Sequence, residues 1–390
     1  MTKKDLRQAL PHFTQFVRRF GPLLEGDSRV ARAEAYLRGL LLDADDNKNA
    51  ETIALNAYGG DTSQVRMTQH FLGQSPWPYL PLRAELVCGV DEAFGDPEGV
   101  LIVDESGVAK CGDKSVGVAR QYCGATGKID NCQVGVFLAY ASKHGHTLLD
   151  TRLYLPEEEW AKDTARREAA GVPPEVVFRT KPALAAELVL GPGQAIRHSW
   201  VTFDEGYGKD PGFLSRLEEA GERYLGEVPK SVRVWLERPV VEEPGRGSSG
   251  RPRHKPRVRA DQPAPQTVEQ VAAALPARAW RRLAFREGTK GTQDAEFARV
   301  RVVVERDDLP GRPGTRCNVT WTSPPGGNGG TGGHASATPA RGDADGDRGL
   351  GASPCGRQDR ALRCTIRNYF KNRHLGLESR KNQQGMIFLK

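Results

Sequence analysis

The chain predicts a mixed α/β fold: a helical N-terminal region, then a sheet flanked by helices, then a disordered C-terminal tail. Three observations predict it. Helical periodicity runs through residues 1 to about 90, strand-length apolar runs in close order replace it from residue 100, and regular periodicity stops after about Asp308.

The first region opens with SRVARAEAYLRGLLL at 28–42. It sets Val30, Ala33, Leu37, Leu40 and Leu41 on one helical face behind Ser28 as N-cap, with Arg29, Arg32 and Arg38 elsewhere. Residues 50–57 and 62–72 read as further helices, and SPWPYLP then breaks the pattern with three prolines. Two readings of this region stay open. It is a DNA-end-binding domain that presents Arg66, Gln69 and His70 on a recognition helix, or it is a packing domain.

Strands are expected at 100–103, 115–122, 132–140 and 147–155, separated by Gly, Lys and Asn as in an antiparallel meander. Helical stretches at 157–170 and 182–190 lead to a strand at 199–203 that ends at Asp204, and two more strands fall within 223–239. Residues 241–266 read as a basic Pro/Gly-rich linker carrying Arg246, Arg251, Arg253, Lys255, Arg257 and Arg259. The linker is either a solvated tether or an arm that touches phosphates. A helix at 267–283 and a strand at 298–305 complete the patterned part.

Composition narrows the class. Of 390 residues only 38% are apolar, with 44 Gly and 26 Pro, so part of the chain is expected not to fold. The net charge of +7 is local: residues 311–390 hold 13 Lys/Arg against 5 Asp/Glu, leaving −1 for residues 1–310. Nucleic-acid binding must therefore rest on patches and not on overall charge. The seven cysteines are odd in number and form no C-x-x-C pair, which excludes common zinc spacings. The first residues lack a signal-peptide core and no run of 18 apolar residues occurs, so a cytoplasmic, nucleoid-associated protein with no membrane partner is expected.

Two segments carry chemistry. In LIVDESGVAK, Asp104 closes an apolar run, and in WVTFDEGYG, Asp204 closes another. Phosphodiester cleavage uses divalent ions about 3.5–4 Å apart. Carboxylates supply the hard oxygens such ions take, and a sheet can bring distant acids to neighbouring strand ends. Each Asp also reads as an ordinary turn or N-cap residue. Glu105 and Glu205 read as exposed loop carboxylates. Lys110, Lys114, Arg120 and Lys128 cluster around the meander, as surface charge or as DNA-backbone contacts. CGATGK at 123–128 departs from a phosphate loop, since Tyr122 and Ile129 stand where Gly and Ser/Thr are required, and His144 and His146 read as solvated residues of a hairpin turn.

The segment LIVDESGVAKCGDKSVGVARQYCGATGKIDNCQVGVFLAYAS, with LYLPEEEW and WVTFDEGYG after it, resembles bacterial insertion-sequence transposases of the DDE type. The resemblance spans roughly residues 10–305 and is most specific over 101–208. It implies an RNase-H-like catalytic domain, Asp104 and Asp204 as the first two catalytic acids and metal ligands, Mg²⁺ or Mn²⁺ as cofactor, and double-stranded DNA as partner. The DNA would be transposon terminal repeats and target DNA, bound by a homo-oligomer.

The resemblance also implies a third acid in an Arg-Trp-x-Ile-Glu helix, which is absent. Past Asp308 the acids are Asp343, Asp345, Asp347, Asp359 and Glu378, without that pattern. Translation is expected to leave the ancestral frame near 308–314. The expected organisation is a helical DNA-end-binding domain (1–90), an RNase-H-like core (95–240), the linker (241–266), the rest of the catalytic domain (267–308) and a low-complexity tail (309–390). The function expected is metal-dependent cleavage and strand transfer at element ends, impaired for lack of the third acid. The alternative is a non-catalytic DNA-binding remnant or transposition inhibitor.

Overall fold

A computed structural model describes residues 3–41, 49–242, 257–288, 291–305, 313–322 and 335–339. The chain divides into two compact units, 1–89 and 90–390. Among the described residues no helix is long and apolar enough to cross a membrane.

The first unit is helical: α1 (Lys3–Arg19), α2 (Gly21–Leu24), α3 (Asp27–Leu41), α4 (Ala50–Ala57), α5 (Ser63–Gly73) and α6 (Tyr79–Phe94), the last carrying the chain across the boundary. Helix α3 corrects the expected face. It begins at Asp27, so Ser28 is not its cap, and its buried positions are Ala35 and Gly39, while Leu41 is exposed. The reason is close approach: a Cβ on Gly39 would lie 2.5 Å from the Ile53 carbonyl oxygen of α4, so small residues face that helix. Helix α4 starts with a capping box in which the Asn49 side chain accepts from the Glu51 and Thr52 backbone amides.

The second unit is mixed α/β, as expected. Its first strands are β1 (Val100–Ala109), β2 (Ala119–Cys123), β3 (Lys128–Ser142) and β4 (Gly145–Leu153). A π-helical turn (Glu157–Ala161), α7 (Thr164–Ala169) and α8 (Lys181–Leu190) follow, then β5 (Trp200–Phe203), α9 (Glu205–Gly208), α10 (Pro211–Glu219) and β6 (Tyr224–Val228). Strand β3 pairs antiparallel with β1, β2 and β4, whereas β1, β5 and β6 are parallel neighbours. Parallel neighbours need crossovers, and here α8 and then α9 with α10 supply them. Residues 100–103 are all buried, the unbroken apolar run expected of a strand covered on both faces.

Trp160 anchors the π-helical turn. It is fully buried, its Nε1 donates to the Val118 carbonyl at 2.8 Å, and the Arg166 guanidinium lies 4.0 Å from its ring centroid.

The sheet continues through β7 (Arg233–Trp235), β10 (Gln266–Thr267), β11 (Arg281–Gly288), β12 (Gly291–Glu305), β13 (Pro313–Thr322) and β14 (Ala335–Pro339). β8 (Val241–Glu242) and β9 (Arg257–Val258) form a separate pair. Helix α11 (Val268–Ala274) is shorter than the expected helix because Pro276 follows it. The larger departure lies past Asp308, where the sequence reading expected no regular structure. β13 pairs with β12, and its Val319 is buried with Val228, Val234, Val268, Val271, Ala298 and Val302. NVTWT alternates with the period of a strand. Of the expected linker and tail, residues 243–256, 309–312, 323–334 and 340–390 lie outside the described residues.

A buried ion pair ties the loop before β5 to the one before β6. His198 Nε2 lies 3.1 Å from Glu222 Oε2, its Nδ1 lies 2.8 Å from the Ile196 carbonyl, and Gln194 Nε2 donates to Glu222 Oε1 at 2.6 Å. Burial opposes the charge on His198, but the bonds to Glu222 and Ile196 outweigh it and its pKa is raised. Glu222 is lowered: burial works against it, and the bonds from His198 and Gln194 prevail. A raised His contributes below its unfolded value and loses that contribution as pH rises through the folded value, and a lowered Glu does the converse at low pH. The pair should therefore stabilise most between about pH 5 and 6.5. Urea unfolding is expected to show Glu222→Gln costing about 1.5 kcal/mol in that window and less at pH 8. A cost independent of pH would contradict this.

Candidate active site

The decisive geometry is a register. In the parallel pair β1 and β5, Val100 faces Trp200 and Val103 faces Phe203; Asp104 continues β1 past that last pair, and Asp204 is the first residue after β5. Neighbouring strands lie about 4.8 Å apart. The ladder stops there because β5 ends at Phe203, while β1 runs on, paired only with β3, to Ala109. Asp104 is thus inside its strand and not at its end, and it sits where the β5 side of that strand opens.

Asp204 leaves β5 as the N-cap of α9, its Oδ1 accepting from the Gly206 amide at 2.9 Å. Burial first, and then the charges of Glu105 and Glu205 against the backbone bonds from Gly206 and Tyr207, hold its carboxyl above the usual carboxylate range. Asp104 Oδ1 accepts from the Glu105 amide at 2.8 Å. Helix α9 is seated tightly on β6: a Cβ on Gly208 would lie 1.8 Å from the Glu227 carbonyl oxygen.

Two residues of this site escaped the sequence reading. Glu105 is not in a loop: it is half-buried on β1 and accepts from Lys181 Nζ at 2.8 Å, and that ammonium also lies 5.4 Å from the Tyr154 ring centroid. DESG reads as a turn, and only the length of β3 shows otherwise. Tyr207 is buried at 2% exposure, and its hydroxyl has no hydrogen-bond partner among the described residues. Burial, and then the charges of Glu105, Asp204 and Asp104, push its phenol far up. Glu205 is exposed, as expected.

The expected phosphate-contacting cations gather on one hairpin layer. Lys110 follows β1, Lys114 lies in the connection to β2 with Asp113 at 4.0 Å, Arg120 is exposed on β2, and Lys128 opens β3, 3.8 Å from Asp130. Arg66, Gln69 and His70 are exposed on α5 in the first unit. CGATGK forms the β2–β3 hairpin, with Gly127 at φ +67° where side chains are disfavoured, and His144 lies in the β3–β4 turn.

The family described as DDE superfamily endonuclease matches residues 19–292. The chain belongs to that family. A probable transposase for insertion sequence element IS701 from Microchaete diplosiphon is 36% identical over 159 residues, 40% of this chain. The match spans 38% of that relative's length. Among solved structures the NurA nuclease from Sulfolobus solfataricus aligns over 72% of this chain and 79% of its own, with 10% identity and a TM-score of 0.26, too slight a likeness to bear on fold or function.

Endonucleases of this superfamily generally use divalent cations. Mg²⁺ is commonly held by one or two carboxylates plus substrate phosphates, and Asp104 and Asp204, each following the last β1–β5 pair, offer two, with the crowding of negative charge on Asp204 favouring a cation. No group of three or more His, Cys, Asp or Glu able to hold an ion is gathered among the described residues.

Proposed function

We propose that this chain acts on DNA as an insertion-sequence transposase, with Asp104 and Asp204 as its two catalytic acids and ligands of Mg²⁺ or Mn²⁺. The observation that supports the reading is the β1–β5 register, whose last pair, Val103 and Phe203, immediately precedes two acids a hundred residues apart in sequence. The family match and the resemblance of the first segment to transposases support it. When bound, a divalent cation supplies Lewis-acid stabilisation of charge at the attacked phosphorus. The chain's own contribution is to hold Asp104 and Asp204 just past the last β1–β5 pair, and to offer Lys110, Lys114, Arg120 and Lys128 to DNA phosphates without reading bases. Arg66 on α5 serves the element ends, and the partners are terminal-repeat and target DNA bound by a homo-oligomer. In cells the protein is cytoplasmic and associated with the nucleoid.

Strand transfer is impaired in this reading. The Arg-Trp-x-Ile-Glu helix is missing from the sequence, so a second cation lacks its holder. The same missing acid favours a second reading, a non-catalytic remnant that occupies element ends or inhibits transposition; its DNA binding would be indifferent to Asp104 and Asp204.

The test uses duplex DNA from both flanks of the gene, with Mg²⁺ or Mn²⁺. Retarded complexes that weaken steeply with salt are expected. So is cleavage at the flanks that is slow and lost in Asp104→Ala, with DNA binding retained. Slow cleavage that survives Asp104→Ala would overturn the assignment of the acids, and robust strand transfer abolished by Asp104→Ala would overturn the impairment. No cleavage at all, with unchanged DNA binding, would decide for the remnant.

A further inference from the structure

The hydroxyl of Tyr207 has no role in the fold. The ring does: it packs against Phe213, 5.9 Å between centroids, on the layer that covers β5 and β6. The oxygen is buried and makes no hydrogen bond among the described residues; Tyr207 stands in the first turn of α9, its amide donating at 3.2 Å to the carbonyl of Asp204, which caps that turn, and the charges of Glu105, Asp204 and Asp104 add to burial in pushing its phenol up. Burying an unpaired hydroxyl costs about 1–3 kcal/mol, and phenylalanine would fill the same space without that cost. The neighbouring Gly208, whose hydrogen alone fits beneath the Glu227 carbonyl, seats α9 on β6.

A donor stored beside carboxylates is a donor waiting for acceptor oxygens to be arranged around a cation. Ligating carboxylates are commonly oriented by an outer hydrogen bond, and removal of such a partner typically costs about 10–100-fold in metal affinity. We infer that Tyr207 is a positioning residue of the acid site, its hydroxyl donating into the oxygen shell that a divalent cation gathers at Asp104 and Asp204. This inference rests on the proposed role of those two acids. It gives Tyr207 a signature that a packing residue lacks: without its hydroxyl the cation-free protein is no less stable, while the cation is held less well.

The test is a pair of measurements on the full chain, with Mn²⁺ as the probe. Thermal unfolding without divalent cation is expected to place Tyr207→Phe at or above the wild-type Tm. Mn²⁺ titration followed by electron paramagnetic resonance is expected to give a Kd about 10-fold weaker for Tyr207→Phe, and loss of binding for Asp204→Asn. If Tyr207→Phe binds Mn²⁺ like wild type while Asp204→Asn does not bind, the inference fails and the acid pair stands. A lower Tm for Tyr207→Phe without cation would also overturn it, because the hydroxyl would then be bonded in the cation-free fold. If Asp204→Asn binds like wild type, the acid pair itself falls, and this inference with it.

Discussion

Replacing Trp160 with alanine is expected to lower the unfolding free energy of the sheet-bearing unit by about 3–5 kcal/mol, a fall in Tm of roughly 10 °C. The indole is fully buried, so truncation leaves a large cavity in the π-helical turn that follows β4. It also strips the Val118 carbonyl of its Nε1–H donor and the Arg166 guanidinium of the ring it lies on. Arg166 Nη2 donates to the Asp113 carbonyl and its Nη1 to the Glu159 carbonyl, so the loss spreads to the connection that carries Lys114. Trp160→Phe keeps part of the ring contact but loses the donor and the remainder of the indole, which should cost about 1–3 kcal/mol, less than alanine. Chemical denaturation of the three proteins checks the order. A change below about 1 kcal/mol in Trp160→Ala would show that the turn is not part of the cooperative unit.

The second large effect concerns Asp204. Asparagine caps a helix about as well as aspartate, so the bond from Gly206 to the side-chain oxygen survives Asp204→Asn. What disappears is a negative charge that burial, and then Glu105 and Glu205, make costly. Without divalent cation the variant is therefore expected to be more stable than wild type, with a Tm a few degrees higher. With Mn²⁺ the order reverses in function: affinity should fall by at least about 100-fold, because a ligand and not an outer partner has been removed. Thermal unfolding with and without Mn²⁺ separates the two effects. A destabilised variant that still gains Tm from Mn²⁺ would mean that Asp204 is a structural cap and nothing more.

How much of this was legible in the sequence differs from element to element. The first four residues of β1, and β5, were readable from their apolar runs, and the long hairpin of β3 was readable from alternation that needs no tertiary knowledge. Asp104 and Asp204 were readable as residues but not as neighbours. A parallel register across one crossover is recorded by no local pattern, so the expectation that a sheet brings the two acids together rested on the chemistry of carboxylates at strand ends and on the resemblance to transposases. Glu105 was misplaced because Ser and Gly after a carboxylate look like a turn, whereas pairing with β3 along all of Val100–Ala109 keeps the strand extended. Tyr207 carried no periodic signal, and its unpartnered oxygen is visible only once burial is known. In α3 the buried stripe was set by the close pass of α4 at Gly39 and not by the largest apolar residues. Beyond Asp308 the Gly and Pro content concealed the alternation in β13, which the edge of β12 stabilises by pairing.

The most direct test of the central claim is anomalous scattering from crystals of the full chain grown with Mn²⁺. The account predicts a peak within about 2.6 Å of carboxylate oxygens from both Asp104 and Asp204, absent in crystals of Asp204→Asn. A well-occupied Mn²⁺ peak elsewhere, with none between these two residues, would contradict it and leave the register of β1 and β5 without a catalytic meaning.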